Sequence, residues 1–296
     1  MSHVLFGCLC AALPLAAAAQ DTSRVRLDVS AFIDVYYAHD FGRPAAKDRP
    51  FVTQAVRSGE FNVNLAHIAV AANHPDMRGR LVVQAGTAVQ ANYAGEPTLG
   101  ANSGPSLARH LEEATLGVRL GSQVWLDAGI YLSYIGAEGW VSSTNLTYTR
   151  SYVAEFSPYY LSGARLTWTP SSKVTLQAHL VNGWQIISEN NDAKAFGARV
   201  DYAPGSGVTL SYAAFVGNEQ PAGAESRLRL FQQVMARGAT GRFEWMAQLD
   251  YGRQEAALET VDWWGGGAIA SLKVDPSTRF AARIERFADP DAVVAV

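Results

Sequence analysis

The stretch RLTWTPSSKVTLQAHLVNGW, residues 165–184, turns at Pro170-Ser171-Ser172-Lys173 and alternates apolar with polar residues on either side of the turn. Side chains two apart share one face of a strand, so Val174, Leu176, Ala178 and Leu180 fall together and Thr175, Gln177 and His179 fall opposite them. Two architectures satisfy such a hairpin. In a soluble sandwich the apolar face turns into a core; in a membrane barrel it turns out onto lipid. The hairpin alone does not separate them, and the rest of the chain is needed.

The same period-two alternation, broken by Gly, Pro, Asn, Asp and Ser, recurs about thirteen times. It predicts strands over 27–38, 59–73, 79–91, 112–121, 123–134, 159–169, 173–184, 194–203, 207–217, 227–237, 241–252, 262–274 and 278–287. Most are ~10 residues long, more than an average globular strand and close to the ~9–11 that a tilted strand needs to cross a bilayer. Even-numbered strands are followed by the short turns NHPDMR, GS, TPSSK, APGSG, RGATG and VDPST. Odd-numbered strands are followed by longer polar segments over 39–58, 92–111, 135–158, 185–193, 218–226 and 253–261. This order is that of an up-and-down transmembrane barrel with tight turns at one end and long loops at the other, and a Greek-key sandwich has no reason to keep it.

The faces follow. In 241–252 one face reads Phe243, Trp245, Ala247, Leu249, Tyr251, and in 194–203 one face reads Phe196, Ala198, Val200, Tyr202. Aromatic residues near the ends of an apolar face suit the headgroup level, so Phe196, Tyr202, Phe243, Trp245 and Tyr251 are assigned to a lipid-facing girdle. The opposite faces collect Asp28, Asp34, Arg119, Asp127, Arg165, His179, Arg199, Asp201, Arg229, Lys273, Arg283 and Glu285. A charge held against hydrocarbon at the midplane costs ~2–4 kcal/mol, which places these groups toward a hydrated lumen. Asp34, Arg119, Asp127, Arg165, His179, Arg199, Arg229 and Arg283 are the pore-lining candidates, and small inward residues at Gly129, Gly163 and Gly197 are expected to leave room for water. Strand 59–73 shifts its apolar face after Leu65, from Phe61, Val63, Leu65 to Ala66, Ile68, Val70, the mark of a bulge or of a misread register.

Composition narrows the function classes. The 296 residues are 48% hydrophobic and 17% charged with a net charge of -3, and the scattered basic residues give no nucleic-acid-binding or polybasic lipid-binding run. Residues 1–20, MSHVLFGCLCAALPLAAAAQ, have the apolar core and small-residue end of a cleaved export signal, although His3 stands where Lys or Arg is usual. Both cysteines, Cys8 and Cys10, fall in that segment, so residues 21–296 form a barrel domain free of disulfides and thiolate metal sites. Enzyme motifs fail: HLEEA at His110 puts Ala114 where HExxH needs its second ligand, there is no GxSxG, and PGSG at 204–207 reads as a turn. No cofactor or metal is expected.

The segment GAEGWVSSTNLTYTRSYVAEFSPYYLSGARL, 136–166, supported by SLKVDPSTRFAARIERF and DYAPGSGVTLSYAAF, resembles the OmpL-like β-barrel porins of Gram-negative outer membranes. The resemblance extends from about Asp28 to Phe287 and implies a passive diffusion pore for small hydrophilic solutes or ions. It further implies a place in the outer membrane beside lipid and lipopolysaccharide, and delivery by the barrel-assembly machinery. In such barrels the connection after the fifth strand can enter the lumen, and on this basis Glu138, Asn145, Tyr148 and Arg150 are the constriction candidates. Arg150 and Arg165 would then favour anions, with Glu138 opposing them. A surface position for the segment stays open.

Three other readings remain at this stage: a non-conducting structural or adhesive barrel, a barrel hydrolase assembled from separate strands, and a soluble exported sandwich. The odd strand count and the ending RFADPDAVVAV predict a truncated version of a barrel of 14 or more strands.

Overall fold

The computed structural model describes residues 25–205 and 207–295. The expected export signal, 1–20, lies outside the described residues. Thirteen strands form one antiparallel sheet in which each is bonded to its sequence neighbours. They are β1 (Arg26–Ala38), β2 (Glu60–Asn73), β3 (Met77–Ala85), β4 (Leu111–Gly121), β5 (Val124–Leu132), β6 (Tyr160–Ser171) and β7 (Val174–Val181). The series continues with β8 (Ala195–Gly205), β9 (Val208–Asn218), β10 (Leu228–Thr240), β11 (Phe243–Glu255), β12 (Thr260–Lys273) and β13 (Arg279–Ala288). This is the all-β, antiparallel up-and-down architecture of a transmembrane β-barrel. Among the described residues β1 pairs with β2 and β13 with β12, and no ladder joins β1 to β13.

The alternation sets the two faces. Along β1, Leu27, Val29, Ile33, Val35 and Tyr37 are exposed, Ile33 to 71%, while Asp34 and Tyr36 are buried. Along β11, Leu249 is 64% exposed and its neighbours Gln248 and Asp250 are buried. Phe196, Tyr202, Phe243 and Tyr251 stand out from the wall. Trp245 shares their face but is half-buried, because its indole lies over Gly238, its partner on β10. An apolar face turned outward along every strand is stable in hydrocarbon and costly in water, which fits a membrane wall and not a sandwich.

The break in β2 is a bulge. Asp34 pairs with Leu65 and Val35 with Val63, leaving Asn64 without a partner in the ladder, and both Asn64 and Leu65 are buried.

Two expected boundaries change. The strand read over 79–91 ends at Ala85, and Thr87–Asn92 is a short helix, α1. At the junction Gly86 has φ 140°, and a Cβ there would lie 2.3 Å from the Asn64 carbonyl oxygen, so the chain leaves the sheet at a residue only glycine fits. The connection expected over 253–261 shrinks to 256–259, because the ladder runs on through Gln254 to Val261 and Glu255 to Thr260. It is shorter than the 274–278 turn that follows, so the long–short order fails at this pair.

Two short helices lie in the longer connections, α2 (Pro105–Ala108) and α3 (Tyr152–Glu155). The connections at that end bind one another. Glu96 accepts hydrogen bonds from the backbone of Ile187 (2.9 Å) and Ser188 (2.6 Å) and from the Tyr160 hydroxyl (2.9 Å).

Candidate pore interior

All eight pore-lining candidates fall on the inner face, as the register requires. Asp127 of β5 is paired with Arg165 of β6, and Arg165 with His179 of β7, so three strands present their ionisable groups at one level. Asp127 is nearly fully buried and accepts from Arg78 of β3 through both its oxygens, at 2.6 and 2.5 Å, and from Arg165 at 3.2 Å. The Arg78 guanidinium lies 4.4 Å above the Trp125 ring, and Arg119 lies 5.1 Å from the same ring. Arg165 lies 5.0 Å over Tyr131, whose hydroxyl is 3.2 Å from His179. On β8, Arg199 binds Asp201 at 2.8 Å. These are charge-assisted contacts partly shielded from solvent, so each holds its side chain in one direction along the wall.

Glycines on this face do not leave the water-filled gaps expected. A Cβ at Gly197 would lie 2.0 Å from the Tyr134 hydroxyl, whose ring is stacked on His179 at 3.9 Å. Cβ atoms at Gly129 and Gly163 would strike the backbone oxygens of Ala114 and Leu180 at 2.0 and 2.1 Å. Neighbouring strands and an aromatic ring occupy that space.

The 133–159 connection runs across the interior. Its Gly136 and Ala137 amides donate to Gln233 of β10 (2.9 Å) and Gln248 of β11 (3.2 Å), and both glutamines donate to Asp250. Trp140 donates to Gln84 of β3 at 2.9 Å. Ser142 and Tyr148 donate to Asp34 of β1 at 2.8 and 3.1 Å. Arg283 of β13 donates to the Thr149 carbonyl, and the Tyr152 amide donates to Glu285 at 2.6 Å. With Arg199 of β8 donating to the Tyr134 carbonyl as well, one segment is tied to inward side chains on six strands.

The four constriction candidates separate within it. Tyr148 is 42% exposed and Asn145 is half-buried, its amide bonded to both backbone groups of Gly139. Arg150 and Glu138, by contrast, are packed away. The Arg150 side chain is 0% exposed, 4.1 Å over Tyr159 and 5.0 Å over Trp140, and it pairs with Glu155 at 3.5 Å. Glu138 accepts from the Ser151 amide at 2.9 Å and from its hydroxyl, at the start of α3, while its other oxygen has no protein partner. Burial pushes the Glu138 carboxyl above its ordinary value, with the Ser151 bonds pulling back. The expectation that these two charges face permeating ions is therefore corrected: their residue types suit a passage, but aromatic and hydroxyl neighbours enclose both.

A further correction concerns polarity. Beside the segment an apolar cluster sits inside the wall, built from Tyr131, Leu161, Val181, Phe215, Phe231 and Trp263 on inner faces. Arg229 lies within it, 5.5 Å from Trp184 and 5.7 Å from Trp263. Around this cluster the inner face is apolar toward the long connections, whereas on β1, β2 and β11 it carries Asp34, Asn64, Asp250 and Gln254. Sequence reasoning missed Arg78, which it left in a turn, and Trp125, whose position opposite Arg119 on the inner face was readable from the register.

An outward apolar face, a charged inner face and a connection laid across the interior define a porin-type outer-membrane β-barrel. The family described as "Putative beta-barrel porin-2, OmpL-like" matches residues 26–296, and the chain belongs to it. Among solved structures, the anion-selective porin from Comamonas acidovorans is similar with a TM-score of 0.56 at 10% identity, over 88% of this chain and 79% of that one. A loop-deletion mutant of OmpT, an outer membrane protein of Vibrio cholerae, gives 0.46 at 10% identity over 89% and 94%. OccK5 from Pseudomonas aeruginosa gives 0.46 at 13% identity over 90% and 66%. No curated protein matches the chain.

Proposed function

We propose that the protein is a passive diffusion pore for small hydrophilic solutes or ions in the Gram-negative outer membrane. One observation carries this reading. Arg119, Arg237 and Lys273 are exposed on the inner face of a wall whose outer face is apolar, and exposed cations there require water inside. Half-buried Arg165, Arg199 and Arg283 line the passage with them, while Asp34, Asp127 and His179 shape it from buried positions and Arg229 sits half-buried in the apolar cluster. Tyr148, held by Asp34, and Asn145, held by Gly139, form the constriction. The girdle of Phe196, Tyr202, Phe243, Trp245 and Tyr251 meets outer-membrane lipid and lipopolysaccharide. Export through a cleaved signal and insertion by the barrel-assembly machinery complete the reading, which contains no catalytic step.

Swelling of liposomes carrying the protein, with sugars of increasing size outside, tests it. Swelling that is fast with the smallest sugars and falls with size supports the pore, and folded protein that causes none contradicts it. The apolar cluster inside the wall favours a second reading, a barrel closed by its own 133–159 connection. That reading predicts no swelling until the connection is removed.

A further inference from the structure

Near the short turns, most inner-face cations are neutralised. Arg26 binds Asp28 (2.9 Å), Arg80 binds Glu113 (2.6 Å), Arg279 binds Glu244 (3.5 Å), Arg78 and Arg165 share Asp127, and Arg199 holds Asp201. Beyond the one surplus charge where two arginines share Asp127, three cations have no carboxylate partner at all among the described residues. Arg119 is two residues from the end of β4, Arg237 three from the end of β10, and Lys273 closes β12. All three are exposed, and none makes an ion pair among the described residues; Arg119 meets the Trp125 ring instead.

The inner-face acids that lack a cation are elsewhere. Asp34 and Asp250 lie under the 133–159 connection, buried, with their oxygens bonded to Asn64, Ser142 and Tyr148 or to Gln233 and Gln248. The short turns do not alter the balance, since Asp76 and Asp275 offset Lys173 and Arg242. Free charge at this mouth is therefore positive, while the wall as a whole is nearly balanced.

We propose that Arg119, Arg237 and Lys273 form a cationic ring at the short-turn mouth that makes the pore prefer small hydrated anions to cations. The inference rests on the pore reading. It moves the seat of selectivity from the inserted segment, where Arg150 is enclosed, to the opposite end of the barrel. A unit charge ~10 Å from a passing ion in dilute salt changes local ion concentration on the order of twofold, so three acting together give a several-fold bias.

The test is the ratio of chloride to potassium permeability of the purified protein in planar bilayers under a gradient of dilute KCl. The native ratio should exceed one and approach one near ~1 M salt, where the Debye length is ~3 Å. R119Q, R237Q and K273Q should each lower it, by on the order of twofold in dilute salt, and the triple variant should abolish the preference. R286Q, which removes a cation from the outer face, should leave it unchanged. A conducting native protein with a ratio at or below one overturns the inference while the pore reading stands. So does a conducting triple variant that keeps the native ratio. Absence of conductance in the folded native protein overturns the pore reading and this inference with it.

Discussion

The Ser142 hydroxyl donates to Oδ2 of Asp34 at 2.8 Å across 108 residues of chain, and Tyr148 donates to the other oxygen of the same carboxylate at 3.1 Å. Asp34 stands one position from the β2 bulge, whose Asn64 supplies a third donor at 2.8 Å. The bulge thus turns Asn64 inward, and the carboxylate it supports fastens the crossing segment to the first strand.

Asp34→Ala should release residues 142–148. Hydrogen bonds to a charged group contribute about 1.5–3 kcal/mol each, so loss of the two from Ser142 and Tyr148 is enough to free a loop without unfolding the wall. Limited proteolysis of the inserted protein should then cut within 142–150 faster than in the native chain. Equal protection would mean that this carboxylate does not hold the segment.

Arg150→Met should loosen the same segment from its other side while leaving ion preference alone. The substitution strands Glu155 and empties the space over Tyr159 and Trp140, and breaking a buried pair costs about 3–5 kcal/mol. The expected result is lower thermal stability with an unchanged chloride-to-potassium ratio. A changed ratio at unchanged stability would put Arg150 in contact with the permeating ions after all.

The two faces can be separated on two strands of the wall, β11 and β7. Leu249→Arg places a charge on the outward face and should cost ~2–4 kcal/mol in folding titrations into lipid vesicles. Gln177→Arg, on the inward face of β7 between Arg199 and Thr167, should be tolerated in the same assay. Equal penalties would reverse or dissolve the assignment of faces.

The fold was legible because alternation, turn chemistry and connection length are local signals that agree along most of the chain. It misled where they stop agreeing. In β9 the outward set Leu210, Tyr212, Ala214, Val216 is opposed by Ser211, Ala213, Phe215 and Gly217, so toward the long connections both faces are apolar and the inner cluster leaves no trace in the pattern. Residues 86–92 keep an apolar rhythm, but Gly86 turns the chain out of the sheet and into α1. The site was legible as a face and not as an environment. Spacing puts Arg119 and Arg199 on the inner side, whereas the enclosure of Glu138 and Arg150 depends on Trp140, Ser151, Thr53 and Tyr159 meeting in three dimensions.

Acidity offers a further check. Burial raises the Glu138 carboxyl above its ordinary value of 4.5, so its protonated form is the one the fold prefers. The associated stabilisation is full below 4.5 and is lost as pH rises through the raised value. Lowering the pH from neutral should therefore tighten the 133–159 connection, and Glu138→Gln should flatten that dependence and be more stable than the native protein at neutral pH. Thermal unfolding of both proteins across this range reads the difference. A less stable Gln variant at neutral pH would show that the Ser151 bonds outweigh the cost of burial.

Single-channel recording from the purified, folded protein in planar bilayers bears most directly on the central claim. A water-filled passage between Tyr148 and the inner wall predicts discrete, reproducible conductance steps in symmetric salt, enlarged in Asp34→Ala. Folded protein that inserts into the bilayer and gives no steps, with or without that substitution, would contradict the claim that this wall encloses a pore.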